Sequence, residues 1–178
     1  YMVSKELNRL ASFTTEMLLT LKSTFMSNRS EEVHQKFVEK LQSVDYLQDR
    51  ISEYITKMFS SGNLTENQSE KIAGLLFVST NIQRISDRCR DIDGIYGKVT
   101  ESGSSFSEEA ARELDNCISI IENLLSKAID AIRKGDQAEA EQVLKSKNKI
   151  RKAEKKFSKA HLSRVKNKVC NPAMTVYY

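Results

Sequence analysis

Three features of the sequence predict an all-α protein. Its 178 residues include one proline, six glycines and no tryptophan, so the strongest helix breakers are scarce. Apolar residues recur at three- to four-residue steps through long stretches, the spacing of one helix face. Capping residues stand where those stretches begin and end. The length suits one domain of ordinary size, or two small bundles sharing a seam.

The first helix is predicted from Val3 to Ser27, with Val3, Leu7, Leu10, Met17, Leu21 and Phe25 as its inward stripe. "SNRSEE" ends it. Ser30 is placed to cap a second helix, whose early Glu31 and Glu32 suit the positive end of the helix dipole. That helix runs to about Ser61, burying Val33, Phe37, Leu41, Val44, Ile51, Ile55 and Met58. Gly62 is a natural stop, and Thr65 with Gln68 three residues on forms the pattern of a capping box. The third helix continues through Ile72, Leu75, Ile82, Ile85, Cys89 and Ile92 as far as Tyr96. At about 1.5 Å per residue, the second and third helices are rods of roughly 45–50 Å.

"TESGSSFS" interrupts the periodicity and is the main internal boundary, dividing the chain into 1–100 and 101–178. Ser107 caps a fourth helix that reaches Lys134, Gly135 breaks it, and Asp136 caps a fifth that runs to about Val169 before Pro172. "MTVYY" is the stub of a sixth. The order is a three-helix unit followed by a second unit that lacks most of its third helix. Aligning the second and fifth helices sets Asp45 against Arg151 and Asp49 against Lys155.

The formal charge of +4, from 28 basic and 24 acidic residues, argues only weakly for a nucleic-acid or membrane partner. Cys89, Cys117 and Cys170 are odd in number and widely spaced. Neither a disulfide framework nor a thiolate zinc site is indicated, and a reducing compartment fits best. No stretch approaches the roughly 18 apolar residues that cross a bilayer. A start at Tyr1 without a basic-then-apolar leader leads us to expect a portion of a longer protein, with any membrane-spanning part upstream.

Two polar constellations stand out. Asp45 and Asp49 share a face of the second helix, and Gln83, Asp87 and Asp91 follow the same four-residue step on the third. Like charges at that spacing repel by a few tenths of a kcal/mol. A solvated face tolerates this; alternatively a cation relieves it, either Arg84 or Arg88 or a bound metal. Oxygen-only ligands suit a hard cation such as magnesium, manganese, calcium or iron. The second constellation is basic: from Lys145 to Lys168 there are eleven Lys or Arg and one acid, Glu154. Docked through Ile150, Phe157 and Leu162, this helix presents either a solvated face or a surface for an anionic partner. Lys149, Arg151, Lys152, Lys155, Lys156 and Lys159 are the candidates for that contact. Each Lys or Arg near anionic lipid contributes about 1 kcal/mol. With Phe157 the single aromatic in the run, stacking of nucleic-acid bases is disfavoured. His34 and His161 show no metal-pair spacing and read as surface residues, whereas Cys89 and Cys117 read as core. No phosphate-cradling glycine loop, nucleophile elbow or Cys–His pairing is visible.

"NIQRISDRCRDID", Asn81 to Asp93, resembles the signature of the PhoU family, commonly L-E-R-I-G-D-H-A-x-N-I-A. Ile82, Arg84, Ile85 and Asp87 match, and Ser86 stands for the glycine. "SVDYLQDRISEYI" is similar to the family's acid-bearing helix. "GNLTENQSEKIAGLL" resembles the version at the C-terminal end of bacterial sodium/phosphate cotransporters, and "KAHLSRVKNKVCNPAMTVYY" the stretch leading into the second signature. The resemblance covers roughly Ser30 to Tyr178.

It implies a pair of three-helix bundles, acidic clusters that bind divalent metal or iron, and a regulatory role in phosphate uptake. In the cotransporter branch such a domain lies on the cytoplasmic side of the cell membrane. The site residues carried over are Asp45, Asp49, Gln83, Asp87 and Asp91. Gln83 replaces a usual glutamate, Arg88 a frequent histidine and Asp91 a usual asparagine. Arg151 and Lys155 replace acids in the second half, where we therefore expect no metal site. A missing sixth helix would leave an apolar groove between the fourth and fifth.

The leading expectation is a non-catalytic regulatory domain of a sodium/phosphate cotransporter-like membrane protein. Its expected partners are the transmembrane portion of that transporter, a second copy in a homodimer, or an anionic membrane surface, and not nucleic acid. A free-standing PhoU-type adaptor is the alternative. A metal-dependent helical hydrolase is a third reading.

Overall fold

A computed structural model describes residues 2–27 and 29–170. Among them are five helices and no strand: α1 Met2–Ser27, α2 Glu31–Ser60, α3 Glu66–Glu101, α4 Glu108–Lys134 and α5 Gln137–Lys166. The all-α prediction holds. The stub of a sixth helix read at Met174–Tyr178, and the stop at Pro172, lie outside the described residues.

The cap signals act as their chemistry dictates. The Thr65 backbone N–H donates to Gln68 Oε1 at 2.9 Å, and the Gln68 N–H donates to Thr65 Oγ1 at 3.3 Å, a reciprocal capping box. Ser107 accepts from the Ala110 N–H at 3.2 Å, and Asp136 from the Glu139 N–H at 2.9 Å. Gly135 takes a left-handed φ of 67°, which lets the Asp136 N–H reach Ala131 O at 2.9 Å and close α4. Two ends differ from the sequence reading. α3 continues past Tyr96 to Glu101, because Val99 keeps the stripe going and is fully buried. α5 stops at Lys166 rather than near Val169, since Lys168 adopts a φ of 57° that no helix accommodates.

The chain folds as two compact units, Tyr1–Met17 with Glu31–Arg90, and Leu18–Ser30 with Asp91–Tyr178. In the first, Val3, Leu7, Leu10 and Met17 of α1 are buried, as are Phe37, Val44, Ile51 and Ile55 of α2 and Ile72, Ile82 and Cys89 of α3. Ser86 is wholly buried and donates its hydroxyl to Met17 Sδ at 3.4 Å. Lys40 of α2 reaches Glu16 of α1 at 2.6 Å, with its ammonium 4.6 Å from the centre of the Phe13 ring.

In the second unit Phe25 packs edge-on against Tyr96 and Phe106, with ring centres 5.5 and 5.1 Å apart. α4 and α5 form a hairpin across Gly135, pinned by Arg164, which donates to both Glu113 oxygens at 3.1 and 2.8 Å. Leu162 is exposed and Ile150 is at the exposed margin, so the expected docking of α5 through those residues is corrected. His161 docks it instead, buried at 1% exposure, with Arg164 and half-buried Phe157 beside it. The charged run hid this, because a half-buried Arg–Glu pair takes the place of an apolar contact. None of the helices, among the described residues, is long and apolar enough to cross a membrane.

Candidate functional site

The acids singled out in the sequence lie on long helices whose apolar stripes fix their direction. In the first unit, burial of Val44, Gln48 and Ile51 turns Asp45 of α2 to the margin of the core. Burial of Ile82, Ser86 and Cys89 does the same for Asp87 of α3. The two carboxylates meet at one guanidinium: Arg90 Nη2 is 3.0 Å from Asp87 Oδ1 and 3.5 Å from Asp45 Oδ2. All three side chains are about half exposed, at 48% for Arg90, 45% for Asp45 and 44% for Asp87. The cation between these two carboxylates is Arg90, which was not among the arginines named from the sequence. Its signal was present, since position 90 lies one helical turn beyond Asp87.

Asp49 is exposed one turn along α2 and forms no ion pair among the described residues. Gln83 is half-buried on α3. Asp91 is exposed and belongs to the second unit. Among the described residues, no three of His, Cys, Asp and Glu gather in a way that would hold a metal ion. As arranged, Asp45 and Asp87 are two carboxylates that share one guanidinium.

In the second unit, a buried acid that sequence reasoning passed over organises the end of the signature. Asp93 is 7% exposed. Its Oδ1 accepts from Arg29 Nη1 at 2.6 Å, and the Arg29 backbone N–H donates to the Tyr96 hydroxyl at 3.2 Å. The Arg29 guanidinium carbon lies 5.3 Å from the Tyr96 ring centre, in cation–π range. This clamp fixes the turn before α2 against α3. Asp93 follows Cys89 by four residues and precedes Tyr96 by three, so the apolar period itself pointed it inward.

The basic residues of α5 singled out in the sequence lie at the surface. Lys149, Arg151, Lys152, Lys155, Lys156 and Lys159 are all exposed, and among the described residues none of them forms an ion pair. The reading of His161 as a surface residue is corrected: burial, with the Arg164 charge beside it, holds its imidazole below the ordinary range. Cys89 is core, and burial pushes its thiol up to about 12. Cys117, expected in the core, is only half-buried.

An open cavity of about 270 Å³ on the α1–α2 side of the first unit is lined by Arg9, Arg50, Tyr46 and Tyr54. Its arginines do not await an anion, because Glu6 lies 3.0 Å from Arg9 and Glu53 lies 2.7 Å from Arg50.

Residues 7–93 match the PhoU domain family. The PhoU match begins within α1, takes in α2 and most of α3, contains the Asp45–Arg90–Asp87 seam and ends at Asp93. A Salmonella typhimurium protein named "Putative inorganic phosphate export protein YjbB" is 26% identical over 164 residues, which is 91% of this chain. The chain spans 30% of that relative's length. No solved structure gives a significant match.

Proposed function

We propose that the chain is a non-catalytic regulatory domain that governs phosphate movement across a membrane, as one part of a sodium/phosphate cotransporter-like protein on its cytoplasmic side. The observation that carries this reading is the second match. Nearly the whole chain aligns with less than a third of a relative whose name describes phosphate export, and residues 7–93 match the PhoU domain. The resemblance of "GNLTENQSEKIAGLL" to the cotransporter branch supports the same placement.

The geometry favours regulation by contact over chemistry. The seam presents two carboxylates that share one guanidinium, and the arginines of the first-unit cavity are already paired. A divalent cation enters this reading only as a competitor of Arg90 for Asp45 and Asp87, which makes its uptake weak.

Two measurements test the proposal. An antibody raised against the chain should detect, in the membrane fraction, a polypeptide far larger than 20.3 kDa. A free species of that mass would support the PhoU-type adaptor instead. Deleting the segment from the full-length protein should leave phosphate flux measurable but no longer responsive to cellular phosphate. Flux and response both unchanged would refute a regulatory role.

A further inference from the structure

The exposed side of α5 is a second surface feature, one independent of the acidic seam. His161, Phe157 and Arg164 turn one side of the helix inward. At about 100° per residue, the direction opposite them holds Leu144, Arg151, Lys155, Leu162 and Lys166, with Lys152 and Lys159 alongside. All seven are exposed. Leu144 and Leu162 are 68% and 58% exposed. They are eighteen positions apart, so after about five turns they point the same way, roughly 27 Å from each other along the axis. Between them the helix surface is basic, and Glu154 is turned to a flank.

We propose that this face seats α5 lengthwise on an anionic lipid surface. Leu144 and Leu162 enter the headgroup region, while Arg151, Lys152, Lys155 and Lys159 contact acidic headgroups between them. The charge pattern matches that occupant. Cations follow the line of the helix with no ion pair among the described residues to compete for them. Their long stems let the ammonium groups stay at headgroup level while the apolar part covers lipid. The face is a convex ridge, which suits a broad deformable surface. Aromatic residues for base stacking are missing from it: Phe157, the aromatic of this helix, is turned inward. An appended domain and a free adaptor would carry the same face, so the inference does not depend on the transporter reading.

The test uses the whole chain and co-sedimentation with phosphatidylcholine vesicles, with or without about one-third phosphatidylglycerol. Binding is expected to the anionic vesicles alone and to weaken as salt rises. Arg151→Glu, Lys155→Glu and Lys159→Glu together should lower the partition coefficient about a hundredfold or more. The control Lys71→Glu, Lys98→Glu and Lys127→Glu changes net charge equally at exposed positions outside α5 and should change it only a few-fold. Leu144→Ser with Leu162→Ser should lower it about tenfold. Circular dichroism confirms that each variant is folded. No binding by the unmodified chain, equal losses in the two charge-reversed variants, an unaffected leucine variant, or displacement from vesicles by a small excess of duplex RNA would each overturn the proposal.

Discussion

Replacing Arg90 with alanine interrogates the acidic seam most directly. Arg90 makes two charge contacts, at 3.0 and 3.5 Å, with all three side chains about half exposed. Screening at that exposure limits each contact to about 0.2–1 kcal/mol. Leaving Asp45 and Asp87 facing each other adds a few tenths of a kcal/mol. We expect Arg90→Ala to destabilise the protein by about 1 kcal/mol in low salt, which lowers the melting temperature by about 2–4 °C for a chain of this size. At about 1 M salt, where the Debye length falls to about 3 Å, most of that loss should vanish. Thermal unfolding followed by circular dichroism at two salt concentrations measures both values. Calorimetric titration with manganese should show tighter uptake by Arg90→Ala than by the native protein, and the gain should disappear when Asp87→Ala is added. A salt-insensitive loss of about 3 kcal/mol or more would refute the reasoning, since it would mark Arg90 as part of the core. Unchanged metal uptake would refute the competition.

Three further outcomes are expected. Asp93→Ala strands the Arg29 guanidinium, in a pair whose side chains are only 17% and 10% exposed; it should cost about 3 kcal/mol in urea unfolding. A cost no greater than that of Arg90→Ala would contradict the burial argument. His161 is held below its ordinary value of 6.5 by burial, so below that pH the unfolded chain takes up a proton that the folded one resists. Stability should be flat with respect to this group above about pH 6.5 and fall as the pH drops below it, whereas His161→Gln should lose that slope; identical pH profiles would exclude the assignment. Cys89, with its thiol pushed up to about 12 by burial, should resist brief maleimide treatment at neutral pH and react once denaturant is added. Mass spectrometry showing modification in the native protein would contradict its place in the core.

The rods and much of their core were readable from local chemistry. Leu7, Leu10, Met17 and Leu21 recur at the helical period and are buried, and Thr65–Gln68, Ser107 and Asp136 cap where their side chains can reach free N–H groups. Such features depend on neighbours within a turn, which sequence order supplies. The acids were legible as candidates for the same reason: the four-residue step that aligns Asp45 with Asp49, and Asp87 with Asp91, is a property of a single helix.

Which charge answers which acid was not legible at that level. Asp45 and Asp87 are 42 positions apart, and they share Arg90 only because α2 and α3 are packed side by side. Asp93 is tied to Arg29 across 64 positions, and α5 docks through His161 and an Arg164–Glu113 pair rather than through its leucines. Sequence by itself determined the helices, their caps and which residues each could bury, because backbone hydrogen bonding and side-chain period are local. Tertiary structure alone decided the ion pairs between helices and which leucines remain outside, because a distant charge partner or an apolar cover is set by which faces meet in space.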